Sequence, residues 1–227
     1  MVPQKILALK YLAEQKYGTL TDIQNGSGSK ASSEAFRVSL YQFGLSRFSF
    51  PNIPHGVWHV QSQALFDELY TYFPNDPVYK VTPVCVNEVE HALGMNRIRR
   101  AIFRQLQLNI QAWYSEFYIK ALPPPMRFGL SYKLIPDAMF VRSLADGTSK
   151  TYFIEYERSL KSPGRYRDIF KSYSAREDVT EGSVIYVCRN ERIRNELIRI
   201  SGRILPSGEA FQFVNFDQLC GDEEKSC

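Results

Sequence analysis

Pro136-Asp137-Ala138-Met139-Phe140-Val141, then Asp146-Gly147, then Tyr152-Phe153-Ile154-Glu155-Tyr156-Glu157-Arg158 is the stretch whose reading decides the fold. Asp-Gly between two apolar runs is the strongest short-range hairpin signal, because the glycine accepts the backbone angles that a tight turn needs. The spacing predicts two antiparallel strands, the first opened by Asp137. Side chains alternate along a strand, so Glu155 and Glu157 share one face, while Tyr156 and Arg158 take the other. A carboxylate on each of two adjacent strands can converge on one hard cation such as Mg2+, which takes oxygen ligands and retains waters. The same spacing also arises without function, since Pro-Asp opens strands by turn chemistry and Glu-x-Glu lines solvated faces.

The 227 residues, 44% hydrophobic and 23% charged, suffice for one large domain or two small ones. A formal net charge of +4 and a pI near 8.8 permit a nucleic-acid partner without requiring one. No apolar run approaches the roughly 18 residues of a membrane span. Met1-Val2-Pro3-Gln4-Lys5 lacks a signal-peptide layout, so the expected location is cytoplasmic. Cys85, Cys188, Cys220 and Cys227 are widely spaced and form no Cys-x-x-Cys pair; they are expected reduced, with Cys85 and Cys188 packed. His55 and His59 are spaced as in a zinc pair, but no cysteine pair or third ligand lies nearby. A Gly-rich P-loop and a Gly-x-Ser-x-Gly elbow are both missing, so ATPase and elbow-hydrolase chemistry lack support.

Outward from the hairpin, the N-terminal part reads as helices. Ile6, Leu7, Leu9, Leu12 and Ala13 give a first helix over Lys5 to Lys16. Thr21 is the expected cap of a second, ended near Gly26-Ser27-Gly28-Ser29, and Ser32 or Ser33 that of a third containing Phe36, Val38, Leu40, Tyr41 and Phe43. A strand-like Val57-Trp58-His59-Val60 follows. Three helices and a β-element predict a winged helix-turn-helix over residues 1–80, with Lys30, Ser33, Arg37 and Arg47 as candidate DNA contacts; protein contact is the competing use of such a module.

Residues 81–220 alternate. A long helix over Val86 to Leu108 carries Arg97, Arg99, Arg100 and Arg104, a group dense enough for phosphate-backbone binding. A strand is predicted over Ile110 to Ile119, containing Glu116, and then come the two hairpin strands. A basic helix over Ser162 to Glu177 has Arg165, Arg167 and Lys171 interleaved with Tyr166 and Tyr173, a pattern suited to phosphate and base contacts or to a solvated helix face. A strand over Ser183 to Cys188, a helix over Glu191 to Ile200 and a strand over Phe211 to Phe216 complete the predicted α/β (α+β) chain, and the acidic tail 221–227 is expected to fray.

This order of helix, three strands, helix, strand, helix and strand resembles the core of the PD-(D/E)XK, or restriction-endonuclease-like, superfamily, built on a central mixed sheet. His91-Ala92-Leu93-Gly94-Met95-Asn96-Arg97-Ile98-Arg99, Pro136-Asp137-Ala138 and Phe153-Ile154-Glu155-Tyr156-Glu157-Arg158 resemble the replication-relaxation family, which includes MobC-type plasmid mobilisation proteins. The resemblance spans Lys5 to Phe216. It implies a relaxase, a conjugation-linked endonuclease that nicks DNA at an origin of transfer within a relaxosome of accessory and coupling proteins. Asp137 and Glu155 are the metal ligands it implies, for Mg2+ or Mn2+. The signature's lysine position is occupied by Glu157, so the missing cation would come from Lys161 or Lys171. Glu116 could add a third carboxylate or be an exposed strand residue. His91 could act as an acid or base near neutral pH or be structural. The best-known relaxases use a Tyr nucleophile with a His-x-His metal cluster, which is missing here. A noncatalytic DNA-binding replication or transcription regulator is the alternative.

Overall fold

Ile6, Leu9 and Ala13 recur at helical spacing and, with Ala8 and Leu12, form the buried stripe of α1 (Gln4–Gln15). The computed structural model describes residues 2–50, 53–106, 110–131, 134–205 and 210–221. It divides into two units, Met1–Asn96 with Phe117–Arg127, and Arg97–Glu116 with Phe128–Cys227. The division falls within a helix rather than after residue 80.

In the first unit, α2 (Leu20–Ser27) starts at a capping box: the Thr19 hydroxyl accepts from the Asp22 amide, and the Asp22 carboxylate accepts from the Thr19 amide. Thr21 therefore does not cap this helix; Thr19 does, because it has an acidic side chain at the position that closes the box. Gly28, at φ +67°, ends it. Ser32, not Ser33, caps α3 (Ser33–Gln42) by accepting from the Ala35 amide. β1 (Ser46–Phe50) and β2 (Ile53–His59) pair antiparallel, with a register shift between Phe48 and Phe50. Gly56 has φ +68°, and a Cβ there would lie 2.6 Å from the Phe48 carbonyl oxygen, so the hairpin admits only glycine at this point. α4 (Gln63–Tyr72) adds Phe66 and Leu69 to a core with Leu9, Leu12, Phe36, Leu40 and Trp58. Cys85 is exposed rather than packed as expected, since only its backbone amide engages the core, through the Tyr17 hydroxyl.

α5 (Val86–Leu106) leads into the second unit, where β3 (Ile110–Ser115), β4 (Ala138–Ser143), β5 (Ser149–Glu157), β6 (Val184–Cys188) and β7 (Phe211–Asn215) lie in that order in one mixed sheet. β3–β4 and β4–β5 are antiparallel; β5–β6 and β6–β7 are parallel. Parallel neighbours need crossover segments, and α7 (Pro163–Ser174) and α8 (Glu191–Ile204) supply them. The protein is thus mixed α/β. β3 stops at Ser115, and Glu116 begins a short helix, α6 (Glu116–Ala121), instead of continuing the strand to Ile119. Its partner β4 begins at Ala138, opposite Ser115, and beyond that pair one bond remains, from the Glu116 amide to the Asp137 carbonyl, before the chain turns into α6. A last short helix, α9 (Phe216–Cys220), follows β7.

Tyr166, Phe170 and Tyr173 form the buried stripe of α7. Phe170 packs at 5.5 Å from the Tyr186 ring and 5.0 Å from that of Phe211, which fastens the helix to β6 and β7. Full burial of such a ring contributes about 2 kcal/mol. No helix among the described residues is long and apolar enough to cross a membrane. Residues 222–227, which hold the acidic tail, lie outside the description.

His59 is 4% exposed, with Nδ1 3.2 Å from the Lys16 carbonyl oxygen and Nε2 3.2 Å from that of Thr82, so both nitrogens are engaged and neither is set for zinc. The side chain of His55 lies outside the description. Burial, opposed by the two carbonyls, holds the His59 imidazole below its ordinary value of 6.5. Below that pH the unfolded chain binds a proton that the folded chain resists, so this contribution to stability is present above 6.5 and lost as pH falls toward the lowered folded value. Urea unfolding should therefore show a midpoint that drops on acidification from neutral pH, and His59→Gln should flatten the drop. Equal pH dependence in the two proteins would rule out His59 as its source.

Candidate metal centre

Asp146 Oδ1 accepts from the Thr148 amide at 2.9 Å and from its hydroxyl at 2.6 Å, and Gly147 takes φ +82°; together they close the β4–β5 hairpin. The register pairs Ser143 with Ser149 at the turn and Ala138 with Ile154 at the other end. Asp137 lies just before β4, next to the residue that pairs with Ile154, and its carboxylate reaches the backbone beside Glu155. Its Oδ2 accepts from the Tyr156 amide at 2.6 Å, and its carbonyl accepts from the Glu116 amide at 2.8 Å. Asp137 thus ties the end of β3 to β5. A carboxylate oxygen of Glu116 and one of Asp137 lie within 4.8 Å of each other. Glu116, expected on a strand, reaches this position from the first turn of α6.

Glu155 and Glu157 share one face of β5, the face that α7 covers. Glu155 Oε1 accepts from the Tyr173 hydroxyl at 2.6 Å. Burial first, and the Asp137 charge second, hold the Glu155 carboxyl well above the usual carboxylate range; the Tyr173 bond and the Lys161 charge pull the other way. Glu157 is 3% exposed, and both its oxygens accept from Lys161 Nζ, at 2.6 and 2.5 Å. The Lys161 amide in turn donates to the Tyr166 hydroxyl at 3.0 Å, which pins the loop between β5 and α7. Of the two lysines expected to supply a cation near Glu157, Lys161 is the one that contacts it. Lys171 is exposed on α7, away from that helix's buried stripe.

Tyr166 and Tyr173 are not surface stacking groups, as their interleaving with cations suggested. Both are fully buried, because positions 166, 170 and 173 fall on one helical face. Arg165 and Arg167 are exposed, as expected of phosphate contacts. The arginines of α5 are committed in part to the second unit: the Arg97 guanidinium lies 4.9 Å from the Phe216 ring centroid, that of Arg99 5.1 Å from Phe103, and Arg104 donates to the Cys220 carbonyl at 3.1 Å. Arg100 is half-buried. In the first unit, Lys30 and Ser33 are exposed, Arg37 is paired with Glu34 at 2.6 Å, and Arg47 lies against Gly56. His91 is half-buried on α5, in the first unit.

Cys188 is packed, as the sequence suggested, but sequence reasoning missed Tyr186 beside it. They stand opposite Glu155 and Glu157 in the β5–β6 ladder, and both are buried. Burial, then the Glu157 charge, pushes the Cys188 thiol up to about 12, so it is an inert packed thiol. The available signal was the apolar run Val184-Ile185-Tyr186-Val187, which marks a central strand but not its neighbours. Compared with known proteins, the chain matches no family model, no curated protein and no solved structure.

Replacing Lys161 by Met leaves the Glu157 charge buried and without its cation. Because Lys161 is 28% exposed and water screens it in part, the expected loss is about 2 kcal/mol, below the figure for a fully buried pair. Urea unfolding measures it, and Glu157→Gln on top of Lys161→Met should recover part of the loss. Equal stability of wild type and Lys161→Met would show that the pair does not support the fold.

Proposed function

We propose that the second unit is a PD-(D/E)XK-like nuclease core and that the chain is a metal-dependent endonuclease of the replication-relaxation kind, a plasmid mobilisation relaxase that nicks DNA at an origin of transfer. The observation that carries the reading is the Asp137 carboxylate bonded to the Tyr156 amide between Glu155 and Glu157, with the Lys161 ammonium held on the buried Glu157 carboxylate. In this reading Asp137, Glu155 and Glu116 are ligands of Mg2+ or Mn2+. A donor set of carboxylate oxygens suits such cations and disfavours softer metals. When bound, the cation polarises the phosphate and makes an attacking water more acidic. The side chains do the rest: Lys161 offers positive charge to a phosphate oxygen, Glu157 holds that ammonium, and Tyr173 orients Glu155. His91 enters on sequence grounds as an acid–base group.

The three helices and hairpin of the first unit support a winged helix-turn-helix role that selects the DNA site, with Lys30, Ser33, Arg37 and Arg47 as contacts. Arg165 and Arg167, exposed on α7, are candidates to hold the phosphate backbone. The expected partners are double-stranded and locally single-stranded DNA and the accessory and coupling proteins of a relaxosome. A noncatalytic replication or transcription regulator is the competing reading, and one observation favours it. Both Glu157 oxygens bind Lys161, which partly neutralises the ammonium before any phosphate arrives.

A supercoiled-plasmid nicking assay separates the two. With Mg2+ or Mn2+ the wild type should nick, EDTA should abolish nicking, and Asp137→Ala should slow it by at least about 100-fold, the scale of losing one electrostatic stabiliser. Nicking that ignores both EDTA and Asp137→Ala sinks the metal mechanism; specific binding without nicking favours the regulator. Equal nicking of origin-bearing and origin-free plasmids would instead indicate a repair or restriction nuclease.

A further inference from the structure

Two buried hydroxyls stand at Glu155. Tyr173, the last residue of the α7 stripe, donates to Glu155 Oε1 at 2.6 Å. Tyr186 is the direct neighbour of Glu155 in the parallel β5–β6 ladder, so both side chains leave the sheet on the same face. Its side chain is 1% exposed, and its hydroxyl has no hydrogen-bond partner among the described residues. A buried tyrosine hydroxyl ordinarily finds a partner, and one left without costs stability. The acidic groups that bear on it are Glu155, Glu157 and Asp137, and two of them, Glu155 and Asp137, are proposed cation ligands. The orphan donor is thus on the ladder neighbour of Glu155, close enough to these carboxylates for their charges to act on it.

We propose that Tyr173 and Tyr186 are positioning residues of the cation site: Tyr173 ties down Oε1 of Glu155 so that Oε2 alone is offered to a divalent cation, and Tyr186 gains its missing hydrogen-bond partner only when the site is loaded. The proposal rests on the reading of Asp137 and Glu155 as cation ligands. A carboxylate free to rotate can offer either oxygen or both, and fixing one reduces the ordering that binding must impose. Neither tyrosine touches the cation in this arrangement; each acts through Glu155 or through what fills the space beside it. A merely structural role for the two hydroxyls would change the melting temperature of the metal-free protein and leave the cation affinity of the folded protein where it was.

The test is calorimetric titration of Mn2+ into the full-length wild type, Tyr173→Phe and Tyr186→Phe, with the melting temperature of each metal-free protein measured alongside. Phenylalanine keeps the ring, and so the packing of α7 and β6. Tyr173→Phe should weaken Mn2+ binding by roughly 10-fold or more, the scale for losing the partner that orients a ligand. Tyr186→Phe should weaken it by a smaller factor while leaving the metal-free melting temperature unchanged or raised, because an unsatisfied buried hydroxyl has been removed. Wild-type Mn2+ affinity in both variants would overturn the inference and leave the ligand assignment standing. Absence of Mn2+ binding in the wild type would overturn both.

Discussion

A carboxylate removed from water costs several kcal/mol unless a cation and hydrogen bonds replace its solvation, and Glu157 is such a carboxylate at the end of the central strand. Its counter-charge arrives from the loop that follows. For Lys161 to reach both oxygens, the chain from Arg158 to Lys161 must curl back over β5. The Tyr166 hydroxyl fixes that curl by accepting from the Lys161 amide, and the Arg189 amide fixes the strand end by donating to the Glu157 carbonyl. With the loop so held, α7 starts at Ser162 in a position from which Tyr166, Phe170 and Tyr173 all descend onto β5 and β6. The burial of Glu155 under Tyr173 then follows from the same placement. The acidic site and the helix that covers it are thus one packing problem with one solution.

Much of this was legible, and the reason is locality. The β4–β5 hairpin rests on an Asp-Gly turn and on period-two alternation, both written within a few residues, so Asp137 could be set at the start of one strand and Glu155 inside its neighbour before any tertiary contact was known. Lys161 could be named, with Lys171, as a cation for Glu157, and the three residues between 157 and 161 limit how far Lys161 can stray. Glu116 could not be placed, since β3 ends where its partner strand begins, and that is a fact about Ala138, more than twenty positions away. Tyr166 and Tyr173 were misjudged for a related reason. Cations interleave with aromatics in linear order, whereas in a helix the order that counts is by face, and 165, 167 and 171 fall away from 166, 170 and 173.

The arginines of α5 show the limit of counting charge. Four guanidinium groups within eight positions look like a phosphate-binding stripe, yet planar cations also lie readily on aromatic rings and donate readily to helix-terminal carbonyls. Arg97 does the first with Phe216, and Arg104 does the second at the end of α9. A mild basic excess in composition therefore says little about how much positive charge is available to a partner.

Replacing a buried ion pair by well-packed apolar residues is often neutral or stabilising. The Glu157–Lys161 pair is therefore hard to explain as a device for holding the fold, because a leucine and a methionine could fill the same space at less cost in desolvation. The unsatisfied Tyr186 hydroxyl raises the same objection, since phenylalanine would pack as well without it. Both departures from the cheapest core lie on the face shared by β5 and β6 under α7, beside Glu155. Stability alone does not select buried charge and unpaired donors in one place. In the proposed reading, a site that takes a cation and a phosphate supplies the requirement for charge at that place.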